Sequence, residues 1–173
     1  MTPILVPIQL SDAPALRDFE TRNRAFFEAT INARPAAYYD TGGVEQAIVL
    51  ALEDARCDRG YQYLLKDGKG TILGRANLGG VRRAHFHSAT LGYRIAQSEC
   101  GKGHAGEAVR QVLAIAFGEL GLARLEADCR VENAASVRVL LRNGFTQFGH
   151  SRRSFALHGV WYDRLHFERH AAG

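Results

Sequence analysis

The clearest pattern of apolar and polar positions in this chain lies between residues 103 and 120. Apolar side chains recur there at helical spacing, while charged and polar residues fall on the opposite side of the helix. The apolar positions are Ala105, Ala108, Val109, Val112, Leu113, Ala116, Phe117 and Leu120. Gly121 follows at once, and glycine is the residue that most readily ends a helix. The pattern predicts one amphipathic helix over 103–120.

Alternating apolar residues predict strands on both sides of that helix. The first strand is predicted over 4–10, and Ser11 and Asp12 can cap the helix that follows it. Asp67-Gly68-Lys69-Gly70 and His158-Gly159 are turn signals between strands. The remaining predicted elements are a helix at 44–59, strands at 61–66, 71–81, 86–95 and 124–130, a helix at 134–143, and strands at 146–157 and 160–169.

The order of these elements indicates the fold class. Antiparallel hairpins precede a strand–helix–strand crossover, which predicts a mixed α/β protein of the α+β class with helices packed on a mixed sheet. Gly74, Gly79 and Gly80 fall inside one predicted strand, where they favour a bulge or a close approach of two backbones. The 173 residues contain no repeat, low-complexity tract or linker, so we expect a single domain over 1–173.

Composition excludes several classes of protein. Hydrophobic residues make up 46% of the chain and charged residues 23%, as in ordinary soluble proteins, and no apolar run is long enough to cross a bilayer. Three cysteines fit neither a disulfide scaffold nor a metal site, so we expect a reducing, cytoplasmic location and no metal. The net charge of +4 favours an anionic partner, but the basic residues are dispersed, and we expect no dedicated nucleic-acid site.

A glycine-rich segment, Cys100-Gly101-Lys102-Gly103-His104-Ala105, precedes the amphipathic helix. Its glycines allow a close approach of the backbone, and its amides at the positive end of a helix can hold a diphosphate. An ordinary strand-to-helix loop is the first alternative. A mononucleotide loop would need Ser or Thr after Gly-Lys, and Gly103 stands there instead. A dinucleotide motif nearly fits the spacing as far as Gly106, but the preceding hairpins do not belong to a doubly wound sheet.

With a second motif downstream, this segment resembles the GNAT superfamily of N-acetyltransferases. The loop is similar to the family motif Q/R-x-x-G-x-G/A, and Asn133-Ala134-Ala135-Ser136 followed by Asn143-Gly144-Phe145 is similar to its N-x-x-A/S…G-F signature. The stretch 86–167 most resembles the ribosomal-protein alanine N-acetyltransferases of the Rim type. The resemblance implies a mostly antiparallel, twisted sheet with helices on both faces and a splayed pair of strands at the cofactor site.

The resemblance also implies acetyl-CoA as co-substrate. The pantetheine arm would bind along the strand edge at Tyr93, Arg94 and Ile95, in the manner of an added strand. The diphosphate would bind the loop Gly101, Lys102, Gly103, His104, Ala105 and Gly106, although Lys102 can equally be a solvated lysine. Cys100 replaces the usual Gln or Arg, and a reactive thiol there is the less favoured interpretation. Asn133 would contact the cofactor or the amine, and it also suits a helix N-cap.

For the chemical step, the resemblance implies Ser136 as the acid that protonates the departing thiolate. Many family members use a tyrosine seven residues after the asparagine, but Leu140 stands at that position here. Asp128 is the first candidate for relaying the proton of the amine, and Glu126 shares its strand face. His85 and His87 are further candidates, with structural roles as the alternative for both.

Three functions remain open at this stage. The first is acetylation of a protein N-terminus of the alanine or serine kind, including a ribosomal protein, and a homodimer is compatible with it. The second is acetylation of a small amine such as an antibiotic, a polyamine or an amino acid, for which a closed acidic pocket would suit a polyamine. The third is a regulatory protein that binds CoA without catalysis, which Leu140 keeps open. Fold alone does not identify the acceptor.

Overall fold

The computed structural model describes residues 2–172. Its strands are β1 (Ile4–Pro7), β2 (Tyr61–Lys66), β3 (Ile72–Arg82), β4 (Ser88–Ile95), β5 (Arg124–Arg130), β6 (Thr146–Leu157) and β7 (Val160–His170). Its α-helices are α1 (Ala13–Glu28), α2 (Gly43–Arg56), α3 (His104–Ala114) and α4 (Ala134–Arg142). Within residues 2–172, no helix combines the length and the apolar character that a membrane crossing requires.

The seven strands form one sheet in the order β1-β2-β3-β4-β5-β7-β6. Every neighbouring pair is antiparallel except β4 and β5, which are parallel and are connected through α3. The predicted α+β fold with a mostly antiparallel sheet is therefore confirmed.

Two apolar cores lie on opposite faces of this sheet. On one face, α3 and α4 pack on the central strands through residues such as Val109, Val112 and Leu140. On the other face, α1 and α2 pack on the β1–β4 side through Leu16, Phe19, Val44 and Ile48. Alternation along a strand separates the cores, since Leu64 belongs to the second core and its neighbour Leu65 to the first.

Several predicted elements differ from expectation at their ends, and the first strand, predicted over 4–10, ends at Pro7. The helix predicted over 103–120 is α-helical only to Ala114 and then continues as a π-helical turn, Ile115–Glu119. Asp12 is the N-cap residue of α1, but its side chain does not cap the helix. Its carboxylate instead accepts a hydrogen bond from the Gln9 amide at 2.9 Å and pairs with Lys66 Nζ at 2.6 Å.

The glycines of β3 bring its backbone close to β4, as predicted. A Cβ added at Gly74 would lie 2.5 Å from Ile95 Cδ1 and 2.7 Å from the Arg94 carbonyl oxygen. The register shifts between Gly79 and Arg82, where Gly80 adopts a positive φ of 59°. This close contact lies where the C-terminal half of β4 is paired with β3 and no longer with β5.

Candidate active site

Strands β4 and β5 separate after a short parallel pairing. The three pairs of the ladder are Ser88–Arg124, Ala89–Leu125 and Thr90–Glu126. Beyond them, β4 stays paired with β3 as far as Ile95, and β5 stays paired with β7 as far as Arg130. Within the described residues, the edge of β4 at 93–95 thus has no strand partner on its β5 side. An extended, amide-bearing ligand can bind such an edge as an added strand.

The glycine loop lies at the C-terminal end of that open edge. Gly101 and Gly103 have positive φ angles of 77° and 85°, which turn the chain into α3. The first intrahelical bond runs from the Glu107 amide to the Gly103 carbonyl at 3.1 Å. Over residues 2–172, no protein acceptor is assigned to the amides of 101–106. Unpaired amides at the positive end of a helix fit a diphosphate.

A carboxylate lies among the side chains of this loop. Glu99 pairs with Lys102 Nζ at 3.1 Å and with His104 Nε2 at 3.2 Å. The hydrogen bond from Lys102 lowers the pKa of Glu99, so this carboxyl stays ionised. The charge of Lys102 is therefore shared with Glu99, and the backbone amides are the main positive feature of the loop. Burial raises the pKa of the Cys100 thiol, which gives no sign of an activated thiolate.

A pair of hydroxyl groups connects α4 with β4 on the α3/α4 face of the sheet. Asn133 caps α4, with Oδ1 accepting the Ser136 amide at 3.1 Å. Ser136 Oγ lies 2.7 Å from Tyr93 Oη, and either hydroxyl can donate the hydrogen bond. Burial raises the pKa of Tyr93 to about 12, against a smaller lowering by Ser136, so this hydroxyl is protonated near neutral pH.

The structure thus adds a chemical group that sequence reasoning had assigned only as backbone. Tyr93 was expected to contribute a strand edge, yet its side chain meets Ser136. Cys129 of β5 is buried beside the same serine. Burial raises the pKa of its thiol, and a hydrogen bond with Ser136 lowers it to a smaller extent. Leu140 is 1% exposed and belongs to the core. Two features of the sequence could have predicted a role for the Tyr93 side chain. The usual tyrosine is replaced by Leu140, and strand alternation places Tyr93 on the same face as the apolar Leu91.

The candidate carboxylate Asp128 lies on the other face of the sheet. It alternates with Ala127 and Cys129, which pack into the α3/α4 core, so its side chain points away from Ser136. Asp128 forms an ion pair with Arg164 of β7, and the side chains of both are about one-third exposed or less. An acid candidate and a base candidate therefore lie on opposite sides of the sheet next to the separation of β4 and β5.

The other predicted base candidates are less well placed. Glu126 belongs to the last β4–β5 pair and forms an ion pair with Arg124. His85 and His87 lie in the turn before β4, at the end opposite the glycine loop, and both have positive φ angles. The His87 carbonyl accepts the Ala123 amide at 2.6 Å, which indicates a structural role for this turn.

Comparison with known proteins gives a consistent family assignment. A sequence profile described as "Acetyltransferase (GNAT) domain" matches residues 4–146. The chain is 32% identical to "Probable N-acetyltransferase YjcK" of Bacillus subtilis (strain 168), over 91% of this chain and 87% of that protein. It is 27% identical to "[Ribosomal protein uS5]-alanine N-acetyltransferase" of Escherichia coli (strain K12), over 89% of this chain and 80% of that protein.

Solved structures agree with the fold. The ribosomal-protein-S5-alanine acetyltransferase from Vibrio fischeri has a TM-score of 0.93 at 23% identity, covering 98% of this chain and 93% of that chain, which shows a common fold. Mycobacterium smegmatis RimJ in complex with CoA-disulfide has a TM-score of 0.87 at 26% identity, covering 96% of this chain and 81% of that chain.

Replacement of Gly103 by valine tests the loop. Gly103 and Gly42 are both N-cap glycines, with φ of 85° and 81°, and a Cβ at either would meet nothing within 4 Å. Gly103→Val and Gly42→Val should therefore destabilise the fold by the same roughly 1–2 kcal/mol of left-handed strain. Only Gly103→Val should weaken CoA binding, by about tenfold or more, because it displaces amides that would bind the diphosphate.

Calorimetric titration of CoA and urea unfolding of both variants measure these effects. Equal CoA affinity of folded Gly103→Val and Gly42→Val would show that the loop is only a connection.

Proposed function

This chain belongs to the GNAT family of N-acetyltransferases, and we propose that it transfers the acetyl group of acetyl-CoA to the N-terminal amine of a protein. It is related to ribosomal-protein alanine N-acetyltransferases, and this relationship motivates the choice of acceptor. One continuous sheet joins both cores, which supports assigning residues 1–173 to a single N-acetyltransferase domain. The homodimer and the cytoplasmic location stay predictions.

The observation that carries the proposal is the open edge of β4 leading directly into the glycine loop. Residues 93–95 would offer backbone groups to the two amides of pantetheine, and the amides of 101–106 would bind the diphosphate. Acetyl-CoA, when bound, supplies a thioester that is already reactive toward amines. The protein then needs to align the amine with that thioester and to move two protons.

Ser136 and Tyr93 are suited to the proton that the departing thiolate requires. The serine hydroxyl has a high pKa, so it would donate through a hydrogen bond rather than ionise freely. Tyr93 Oη lies 2.7 Å from Ser136 Oγ and stays protonated near neutral pH, because burial raises its pKa to about 12. We propose that Tyr93 passes a proton to Ser136 as Ser136 gives its own to the thiolate, and that the proton lost by the amine reaches Tyr93 through solvent, so that the two hydroxyls act as one donor and are both restored.

Asp128 is suited to the proton that leaves the amine, from the opposite face of the sheet. Its ion pair with Arg164 holds the carboxylate in place on this face. An α-amine has a pKa near 8, so an appreciable fraction is neutral at pH 7 without a strong base. Asp128 would therefore orient the amine or a water molecule and pass its proton on.

The charges near the separated strands favour a peptide over a polyamine. Three carboxylates on this face, Glu20, Glu126 and Asp128, are each paired with at least one arginine. A polycation binds best where carboxylates are unpaired, so this face is a poor polyamine site. This difference supports the protein N-terminus over spermidine-like acceptors.

A panel of acceptors tests the function. We expect release of CoA thiol with peptides that begin with alanine or serine. The kcat/KM for spermidine should be at least tenfold lower than that for these peptides, for the electrostatic reason given above. Mass spectrometry should locate the acetyl group on the α-amine, with N-blocked peptides containing lysine as the control. Saturable CoA binding without turnover of any acceptor would instead support a non-catalytic CoA-binding protein.

The paired hydroxyls give a second prediction. Ser136→Ala should lower kcat on the order of a hundredfold, with little change in CoA affinity, because its contribution comes in the transition state. Tyr93→Phe should lower kcat less, and the double variant should be no slower than Ser136→Ala alone, because both act on one proton. Tyr61→Phe, which loses a hydroxyl bonded to Asp58, is the control. Additive losses in the double variant would mean that the two hydroxyls act separately.

Asp128 gives a third prediction. Asp128→Asn should lower kcat/KM most below pH 8 and progressively less above it, because the amine then loses its proton unaided. Glu126→Gln, on the same strand face, is the matched control and should give a flat, small effect. A pH-independent loss in Asp128→Asn would assign that residue to binding of the acceptor.

A further inference from the structure

A buried carboxylate surrounded by three arginines lies on the α1/α2 face of the sheet. The Glu20 side chain of α1 has no solvent exposure. Its Oε1 lies 3.0 Å from Arg34 Nη2 and in close contact with Arg75 Nη1, while Oε2 lies 3.4 Å from Arg94 Nη1. Burial alone would raise the pKa of Glu20, but Arg75, Arg34 and Arg94 together lower it. The carboxyl group is therefore ionised.

The charge of this arginine cluster is not balanced. Three guanidinium groups surround one carboxylate, which leaves two positive charges uncompensated. The neighbouring acids have cations of their own, since Glu45 pairs with Arg17 at 2.7 Å and Asp12 pairs with Lys66 at 2.6 Å.

Aromatic rings offset this excess only in part. Tyr38 lies under the Arg34 guanidinium at 4.4 Å, and Phe27 lies 5.0 Å from that of Arg94. Burial lowers the pKa of Arg94 to about 10. Glu20 acts in the opposite direction, and the charges of Arg34 and Arg75 lower the pKa further. The Arg94 guanidinium is still charged at neutral pH. Buried, unpaired charge is costly, so a further anion would stabilise this cluster.

A cavity of about 110 Å³ lies beside the cluster. Its polar wall contains Arg34, Arg75, Gln62 and Tyr38, and its other wall is formed by apolar side chains of α1 and α2 and by Ile8. Arg34 is one-quarter exposed, and within residues 2–172 its Nη1 donates to no protein acceptor. This volume holds a few water molecules or one small organic anion.

We propose that this cavity binds a carboxylate, with Arg34 and Arg75 on the charged end and the apolar wall on the hydrocarbon end. A planar carboxylate matches the fork of a guanidinium group, and inorganic phosphate has no hydrocarbon part for the apolar wall. The carboxylate comes from an acidic side chain of the acceptor or from a free organic acid. The cavity lies between the sheet and the helices α1 and α2, and its lining contains neither Ser136 nor Asp128, although Arg94 of the cluster belongs to the strand edge assigned to pantetheine.

Thermal unfolding of the full chain in acetate, against chloride at equal ionic strength, tests the site. We expect acetate to raise the Tm by roughly 3–6 °C at ten times its dissociation constant. Gln62→Glu places a carboxylate in the cavity itself, so it should raise the Tm in chloride and abolish the response to acetate. Gln147→Glu, an equal charge change on the exposed, distant β6, should leave the response unchanged.

Two results would overturn the proposal. One is a wild-type Tm that is the same in acetate and chloride. The other is an acetate response that persists in Gln62→Glu as in Gln147→Glu, since the anion would then bind elsewhere. If Gln62→Glu does not fold, Arg34→Gln, at the more exposed edge of the cluster, is the second variant. It should lower the affinity for acetate, measured from the rise of Tm with acetate concentration, at least tenfold. An unchanged affinity would again overturn the proposal.

Peptides that differ only in glutamate or glutamine near the N-terminus distinguish the two sources. A lower KM for the glutamate peptide in wild type, lost in Gln62→Glu, identifies the acceptor as the source. Equal KM values together with an acetate response identify a free acid.

Discussion

The early end of the parallel pairing between β4 and β5 is the constraint on which the rest of the site depends. After three residue pairs, each strand remains bound only to its antiparallel neighbour, β4 to β3 and β5 to β7. The absence of a Cβ at Gly74 permits the close approach of β3 to Ile95 and Arg94 in this half of β4. An open backbone edge results in the middle of a sheet, which an extended amide ligand can satisfy.

The same separation lies next to polar groups on both faces of the sheet. Strand alternation directs Tyr93 and Cys129 toward α4 and directs Arg94 and Asp128 toward the opposite face. Under the proposed function, a proton donor and a proton acceptor would therefore act on the reacting groups without contacting each other. Such an arrangement suits a transfer in which the amine approaches from one side and the thiolate leaves on the other.

Arginines set the electrostatic character of the α1/α2 face of the sheet. The arginines paired with Asp128 and Glu126 balance the charges of these carboxylates. The three arginines around Glu20 carry two more positive charges than this carboxylate balances. The face as a whole is therefore better suited to ligands that carry negative charge than to polycations. The mildly basic composition had indicated an anionic partner without a location, and the arginine cluster is the location that we propose.

Local sequence determined the elements and the loop. Helical spacing and strand alternation are properties of neighbouring residues, so the predicted strands at 61–66 and 124–130 match β2 and β5. The glycine loop could also be predicted from the sequence, because the positive φ angles of the turn at Gly101 and Gly103 favour glycine at those two positions. Only the tertiary structure decided the contacts of Tyr93 with Ser136, of Asp128 with Arg164 and of Glu20 with three arginines. Their partners lie far apart in the chain, and local periodicity states which face a side chain occupies but not which distant side chain it meets there.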